Sequence, residues 1–325
     1  MFSFNTPNFI FRFSLGETDY QLGATDYERF AAEYAFFGRS VWQQTLNLTD
    51  EEKTELIRLL QENYRPENRV YRYNFFYDNC ATRPRDKIEE SIAGKVIYPA
   101  EPQDGSLTFR DIVYQYCKGH PWARFGIDLC IGSEADQPLT QRQMMFAPFY
   151  LMDAFDGAQI KGDSIQRPLI TANELIVDAT PEPDESDWMP TPLQCSLLLF
   201  ILTAAATIYG IRRRTGLWGI DLFLFGIAGI VGCVLAFLAL FSQHPAVSSN
   251  FLLLVFHPGQ LLFLPYIIYC VRKGKKCWYL TLNLAVLTLF IVLFPVIPLR
   301  FDFAVLPLAR VLLLRSASNL MVTSK

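Results

Sequence analysis

The chain has few histidines and no excess of basic residues over acidic ones. Among its 325 residues there are only three histidines, and 29 Lys and Arg residues stand against 32 Asp and Glu residues, giving a net charge of −3. Domains that bind nucleic acid carry basic surfaces, so this balance argues against a nucleic-acid partner. The seven cysteines form no CxxC pair and no Cys/His cluster with zinc-ligand spacing. The sequence therefore implies neither a metal nor another cofactor.

Hydrophobicity is distributed unevenly along the chain. Residues 1–190 are rich in aromatic and charged side chains, whereas residues 192–315 consist mainly of long apolar runs. A bilayer core about 30 Å thick needs about 20 residues of helix. Four runs have roughly this length: Pro192–Ile211, Trp218–Phe241, Phe251–Val271 and Cys277–Val296. A fifth run, Phe303–Leu314, is short and contains Pro307 and Arg310, which predicts a weak span or a re-entrant piece.

These runs predict a soluble domain followed by an all-α bundle of four to five transmembrane helices. We expect the soluble α+β domain over residues 1–180 and an acidic, proline-rich linker over 181–191. The bundle then occupies 192–315, and residues 316–325 form a cytoplasmic tail.

Basic residues predict the orientation in the membrane. Arg212–Arg214 follow the first run and Arg272–Lys276 follow the third, while the loop 242–250 has no Lys or Arg. The positive-inside rule then places the soluble domain outside the cytoplasm. The opening stretch MFSFNTPNFIFRF has no secretory-signal pattern. We therefore expect the natural chain to begin upstream of Met1.

Local patterns predict several elements of the soluble half. Alternating aromatic residues over 2–13 predict an extended segment, and residues 27–46 read as helical. Thr49 and Glu52 have capping-box spacing before an apolar helical face. Residues 70–77 read as a strand, and Pro84 suits the first turn of a helix that begins just after Cys80.

The position of Cys80 suits a nucleophile. The thiolate is the reactive form of cysteine, and helix N-termini favour it through unpaired N–H groups and a partial positive charge. The same N–H groups can receive the oxyanion of an acyl-transfer intermediate. The alternative is a structural thiol, since cysteine is among the residue types most often buried. Asp78 and Thr82 likewise have a simpler interpretation as helix caps.

A nucleophilic thiol usually has a base. His120 is the one histidine of the soluble half, and it also reads as an ordinary loop residue before Pro121. His244 lies in the outer loop and His257 inside the third apolar run, where a polar group normally faces the bundle interior. Each is a possible base or substrate contact. In an oxidising compartment, Cys117 and Cys130 are candidates for a disulfide.

Several stretches together resemble the Lnb-type bacterial lipoprotein N-acyltransferases. They are TPNFIFRFSLGETDYQLG, GRSVWQQTLNLTDEEK, YRYNFFYDNCATRPRD, PWARFGIDLCIGSEAD and the membrane segment that contains FSQHP and FHP. The FxYDNCATRxRD stretch is the most specific, while the membrane half matches only in pattern.

The resemblance implies a papain-like soluble domain, similar in kind to NlpC-type and lecithin:retinol-acyltransferase-like domains. It implies acyl transfer at the periplasmic face of the inner membrane, from a phospholipid to the N-terminal amine of a diacylglyceryl lipoprotein. Carried over to this chain, Cys80 is the nucleophile that forms a thioester, and its neighbours Asp78, Asn79, Thr82 and Arg83 shape the corner around it. In the family the histidine precedes the cysteine, which implies a base upstream of the segment seen here and makes His120 a spectator.

Two other functions are compatible with the same residues. A membrane-anchored cysteine peptidase or amidase of the cell wall would use Cys80 with water as acceptor, and would need the bundle only as an anchor. A non-catalytic membrane scaffold would carry Cys80 as a structural residue, which the shortage of histidine partners favours.

Overall fold

A computed structural model describes residues 7–99, 107–162, 166–179 and 189–323. The first part, up to residue 179, alternates short helices with short strands. Its elements are α1 Phe9–Leu15, β1 Asp19–Gln21, α2 Tyr27–Phe36, β2 Val41–Leu46, α3 Asp50–Tyr64, β3 Val70–Arg72, α4 Thr82–Ser91, β4 Lys95–Ile97, α5 Phe109–Tyr116, α6 Pro121–Cys130, α7 Gln141–Met144, α8 Pro148–Asp156, β5 Gln159–Lys161, β6 Gln166–Pro168 and β7 Ile170–Val177.

The second part, residues 189–323, is helical. Its elements are α9 Pro192–Arg213, α10 Trp218–Phe241, α11 Gly259–Leu262, α12 Leu264–Lys273, α13 Trp278–Leu293 and α14 Val305–Thr323, with a 3₁₀ turn at Phe251–Leu254. The chain forms two compact units: a soluble unit, Met1–Ile112 with Pro138–Glu185 and Gln243–Pro245, and a membrane unit, Val113–Gln137 with Ser186–Ser242 and Ala246–Lys325.

In the soluble unit, the described strands pair only in small antiparallel groups. β1 pairs with β3, β2 pairs with β7, and β4, β5 and β6 form a three-stranded sheet. A compact apolar cluster lies beside these strands and contains Leu48, Ile92, Phe155, Ala158, Ile160, Leu169 and Ile170. This mixture of helices and short sheets confirms the predicted α+β class.

The predicted capping box is confirmed. The Thr49 hydroxyl accepts a hydrogen bond from the Glu52 N–H at 3.3 Å, and the Glu52 carboxylate accepts one from the Thr49 N–H at 2.8 Å. The helix α4 begins at Thr82, as the position of Pro84 predicts.

Three other local predictions are wrong in part. The predicted helix 27–46 ends at Phe36, because Gly38 takes a left-handed conformation, with φ 62°, that stops it. Residues Val41–Leu46 instead form β2, whose partner β7 lies far along the sequence. The aromatic alternation near the start predicts an extended segment, yet Phe9–Leu15 is helical; residues 1–6 lie outside the described residues. The predicted strand 70–77 ends at Arg72 and gives way to a turn.

The membrane unit contains three described helices long and apolar enough to cross a bilayer: α9, α10 and Val305–Val322 of α14. The third predicted run is a bent pair of segments, Phe251–Leu262 and Leu264–Lys273, that meet at 73° and count as a broken span or a re-entrant loop. Their close approach to α10 requires Gly232, since a Cβ there would lie 2.4 Å from the backbone nitrogen of His257. Residues 181–188 of the predicted linker 181–191 lie outside the described residues.

The fifth apolar run differs from its prediction. α14 continues through Arg315 to Thr323, and so extends into residues that the sequence assigns to a tail. The apolar run ends in the sequence at Arg315, but the guanidinium of this residue is buried against Asp221 and the helix carries on. The segment is a candidate full span.

Candidate functional site around Cys80

The residues Asp78 to Arg83 form a tight turn that leads into α4, and Asn79 organises it. The Asn79 side-chain oxygen accepts hydrogen bonds from the N–H groups of Ala81, at 2.8 Å, and Thr82, at 3.0 Å. Its amide donates to the carbonyl oxygens of Phe75 and Phe146 at 2.9 and 2.8 Å. Asn79 is buried, and this set of bonds uses the full capacity of its amide.

Thr82 closes the turn from the other side. Its hydroxyl accepts a hydrogen bond from the Asn79 N–H at 2.8 Å, and the side chain is buried. The N–H of Arg83 in turn donates to the Asn79 carbonyl oxygen at 3.2 Å. Asn79 and Thr82 therefore hold the backbone of the turn through reciprocal bonds, which is the pattern of a helix cap.

These bonds determine which N–H groups remain for a ligand. The N–H groups of Ala81, Thr82 and Arg83 are all used within the turn, and residue 84 is a proline with no N–H. Among the described residues, the N–H of Cys80 has no hydrogen-bond acceptor. The expectation that the helix N–H groups receive an oxyanion is therefore wrong for the first turn of α4, and the N–H of Cys80 itself is the available donor.

The thiol of Cys80 is exposed and unbridged. It lies two residues before the first residue of α4, on the outside of a turn whose inside is buried. The simpler interpretation from the sequence, a buried structural cysteine, is wrong.

Asp78 and Arg83 flank the thiol as a bidentate ion pair. The guanidinium nitrogens of Arg83 lie 2.7 and 2.8 Å from the two carboxylate oxygens of Asp78. The guanidinium also stacks over the ring of Tyr71, 3.4 Å from its centroid. Asp78 is thus paired with a side chain, and does not cap α4. The pair joins the turn to β3, because Tyr71 belongs to that strand.

Three tyrosines lie close enough to Cys80 for a charge on its sulfur to affect their pKa. Tyr20 of β1 and Tyr71 of β3 are paired in register, with ring centroids 5.6 Å apart, and Tyr73 lies 5.2 Å from Tyr20. Burial raises the pKa of all three phenols, and a charge on Cys80 raises it further. The three side chains therefore stay protonated at neutral pH and do not serve as bases.

These tyrosines are the functional candidates that sequence reasoning missed. Tyr71 and Tyr73 have the two-residue spacing that places side chains on one face of a strand, directly before the cysteine. That signal was available in the stretch YRYNF. Tyr20 had no such signal, because its place opposite Tyr71 depends on the pairing of β1 with β3.

The three histidines have different surroundings. His244 is the one histidine among the described residues of the soluble unit. Its Nε2 lies 2.5 Å from the carbonyl oxygen of Phe13. His120 belongs to the membrane unit, where it is exposed and occupies the N-cap position of α6 without a side-chain capping bond. His257 is also in the membrane unit, with Nε2 3.4 Å from the Asn283 side-chain oxygen. None of these contacts pairs a histidine with Cys80.

The suggested disulfide is also not formed. Cys117 and Cys130 are both free thiols. Burial raises the pKa of each, which keeps them in the unreactive thiol form.

Comparison with protein families assigns both halves of the chain. Residues 2–111 match the model of the Lnb N-terminal periplasmic domain, and residues 184–325 match the model of the Lnb transmembrane domain. No curated protein and no solved structure matches the chain. The two matched segments together cover most of the sequence, in the order that the resemblance implies.

Proposed function

Because the chain belongs to the Lnb family and is a membrane protein with a periplasmic soluble part, we propose that it is a cysteine-dependent lipoprotein N-acyltransferase. The acyl donor would be a phospholipid of the inner membrane, and the acceptor the α-amino group of a diacylglyceryl lipoprotein. The observation that carries the proposal is the exposed thiol of Cys80, with its own N–H unused, on a turn fixed by Asn79.

The first half of the reaction forms a thioester. The thiol of Cys80 loses its proton to solvent, and the thiolate attacks the carbonyl carbon of a phospholipid ester. The negative oxygen that develops accepts a hydrogen bond from the Cys80 N–H. The ester C–O bond then breaks, and the lysophospholipid leaves as an alcohol after taking a proton.

The second half transfers the acyl group. The neutral α-amine of the lipoprotein attacks the thioester carbonyl, a C–N bond forms and the C–S bond breaks. The amide product is released, the proton lost by nitrogen goes to solvent, and the thiolate of Cys80 is regenerated. Water competes with the amine at the thioester, so that exclusion of water favours transfer over hydrolysis. Both substrates are anchored in lipid, which keeps each of them at high effective concentration beside a membrane-bound enzyme.

The surrounding residues have positioning roles in this scheme. Asn79 and Thr82 hold the backbone that presents the thiol, and the Asp78–Arg83 pair ties the turn to Tyr71. A cysteine hydrolase of the cell wall would use the same thiol with water as acceptor. The two functions differ in the product, which is an amide on the lipoprotein or a free acid.

The test uses the full chain reconstituted with phosphatidylethanolamine and a synthetic diacylglyceryl lipopeptide. With the donor alone, mass spectrometry should find a hydroxylamine-sensitive acyl group on the peptide that contains Cys80; with the lipopeptide added, the acyl group should move to its amine. Cys80→Ala should abolish both signals. Cys233→Ser, which alters another exposed cysteine, is the matched control and should keep them. Equal N-acylation by the wild type and Cys80→Ala would end the proposal.

A further inference from the structure

A large amphipathic cavity lies in the membrane unit, beside the connection between α13 and α14. Its volume is about 840 Å³. Most of its wall is apolar and comes from this connection and the start of α14, including Phe294, Ile297, Phe301 and Leu306. Protein interiors leave few voids larger than a water molecule, and volumes of several hundred Å³ are typical of ligand sites.

The depth of this cavity in the membrane follows from the length of α13. The helix has 16 residues and therefore spans only about 24 Å, less than a hydrocarbon core of about 30 Å. Its first residue is Trp278, an aromatic residue of the kind that marks the membrane–water interface. The non-helical residues after Leu293 therefore complete the crossing within the hydrocarbon region.

The side of the membrane follows from charge. The basic segment Arg272–Lys276 precedes α13, and the positive-inside rule assigns it to the cytoplasm. The far end of α13 then lies in the outer leaflet. Irregular backbone at membrane depth is tolerated only where it is buried in protein or lines a cavity, and eight of the ten residues 294–303 line this one.

The wall of the cavity also contains polar residues. Arg300, Asp136 and Tyr114 line it, and the backbone N–H of Arg300 donates to the Asp136 carboxylate at 3.1 Å. The wall therefore combines aromatic and aliphatic side chains with a smaller number of charged and hydroxyl groups. A glycerophospholipid also combines long apolar chains with a charged headgroup.

We propose that this cavity holds one acyl chain of an outer-leaflet phospholipid. The chain packs against Phe294, Ile297 and Leu306. This inference deepens the proposed function, and rests on it only in identifying the bound lipid as the acyl donor. The occupation of the cavity by phospholipid stands on the volume of the cavity, its depth in the membrane and its mainly apolar wall.

The test is photocrosslinking of the full chain in vesicles of phosphatidylethanolamine and phosphatidylglycerol that contain a phospholipid with a diazirine on its acyl chain. Peptide mapping should place adducts mainly within residues 294–306. Leu306→Trp places a larger side chain in the cavity. It should lower the yield of these adducts by about tenfold, because the added volume leaves too little room for the acyl chain. Leu289→Trp alters an exposed apolar residue of α13 outside the wall and should leave the yield unchanged.

Several results would overturn the inference. Adducts spread evenly over the apolar surface of the helices would mean that the lipid is not held in a site, and that result does not depend on any variant folding. An unchanged yield in Leu306→Trp would have the same meaning. Displacement of the probe by a diacylglyceryl lipopeptide, and not by unlabelled phosphatidylethanolamine, would assign the cavity to the acceptor.

The same measurement made on Cys80→Ser separates this inference from the proposed function. That variant should keep the adducts at 294–306, because the thiol takes no part in holding the lipid. Site-specific adducts without any acyl transfer by the wild type would refute the acyltransferase and leave the lipid site intact. Acyl transfer without site-specific adducts would refute the lipid site and leave the acyltransferase proposal intact.

Discussion

Each unit of the molecule contains an Asp–Arg pair with nearly the same geometry, but water reaches the two pairs very differently. In the soluble unit, Asp78 and Arg83 lie 2.7 and 2.8 Å apart and their side chains are 40% and 31% exposed. In the membrane unit, Asp221 and Arg315 lie 2.7 and 3.0 Å apart and are 2% and 3% exposed. The hydrogen bonds of the two pairs are alike, so the exposure of the side chains decides how much each pair contributes to stability.

The buried pair belongs to a set of polar contacts that connect α14 with the other helices. Arg315 also donates to Thr207 of α9 at 3.0 Å, Ser316 accepts from Asn283 of α13, and Asn319 accepts from the N–H of Cys277. Between apolar helices in lipid there is little hydrophobic driving force, so interhelical hydrogen bonds and packing give the association its specificity. The exposed pair, by contrast, connects only neighbouring parts of one turn and strand.

The largest effect is expected from breaking the buried pair. Arg315→Met leaves the Asp221 carboxylate buried without its partner, which should cost about 3–5 kcal/mol of unfolding free energy. Replacing both partners, as Asp221→Leu with Arg315→Met, removes the uncompensated charge and should recover most of that loss. The measurement is a denaturant titration of the full chain in bicelles.

Arg310→Met is the control for this prediction. Arg310 is on the same helix but is not packed inside the bundle, so its removal does not leave the Asp221 carboxylate without its partner and should not carry the cost of about 3–5 kcal/mol. A single variant Arg315→Met as stable as the wild type would show that the buried pair does not stabilise the bundle.

The sequence predicts those parts of the structure that depend on neighbouring residues. Patterns confined to neighbouring residues are reliable here: the capping box at Thr49 and Glu52, the helix after Cys80 and the apolar helices α9 and α10 are all present. Their signals depend on caps, on proline and on the length of apolar runs, and none of them needs a distant partner.

Predictions that depend on distant partners fail. Residues Val41–Leu46 are a strand because β7 pairs with them, and α14 continues past Arg315 because Asp221 neutralises it. Tyr20 faces Tyr71 through strand pairing as well. At the site, the sequence predicts that a helix starts beside Cys80, but not that Asn79 uses the N–H groups of that helix, because side-chain direction is not encoded in spacing.

A pair of intermediate burial sharpens the comparison. In the soluble unit, Glu52 is 3% exposed and bonds to Arg167, which is 21% exposed, as well as to the N–H groups of Thr49 and Ala93. Burial alone would raise the pKa of Glu52, but these donors outweigh it and the pKa is lowered. A carboxyl whose pKa falls on folding stabilises the fold above its unfolded value, near 4.3, and loses that contribution as pH falls through the folded value.

Glu52→Gln should therefore make the unfolding free energy of the soluble unit less dependent on pH in the acidic range. Near neutral pH the variant should lose about 1–3 kcal/mol, since charge-assisted hydrogen bonds become neutral ones. Below about pH 4 its deficit relative to the wild type should shrink. The difference in stability between the variant and the wild type can be measured at each pH by hydrogen exchange of peptides from α3 in the full chain. Glu55→Gln, one turn away in an exposed pair with Arg58, is the control and should lose less than about 1 kcal/mol at any pH, because water screens that pair. A deficit that stays constant down to pH 3 would contradict the assignment.

The smallest effect is expected at the exposed pair beside the thiol. Asp78→Asn should cost less than about 1 kcal/mol, because water screens a pair whose side chains are about a third exposed. Its effect should appear in function instead, since Arg83 would lose the carboxylate that holds it over Tyr71. We expect a fall in the rate of thioester formation on Cys80 without a matching change in unfolding free energy. The exposed pair Asp19–Arg72, on the neighbouring strands, provides the control Asp19→Asn, which should change neither. A loss of stability in Asp78→Asn as large as that in Arg315→Met would show that burial does not separate the two pairs.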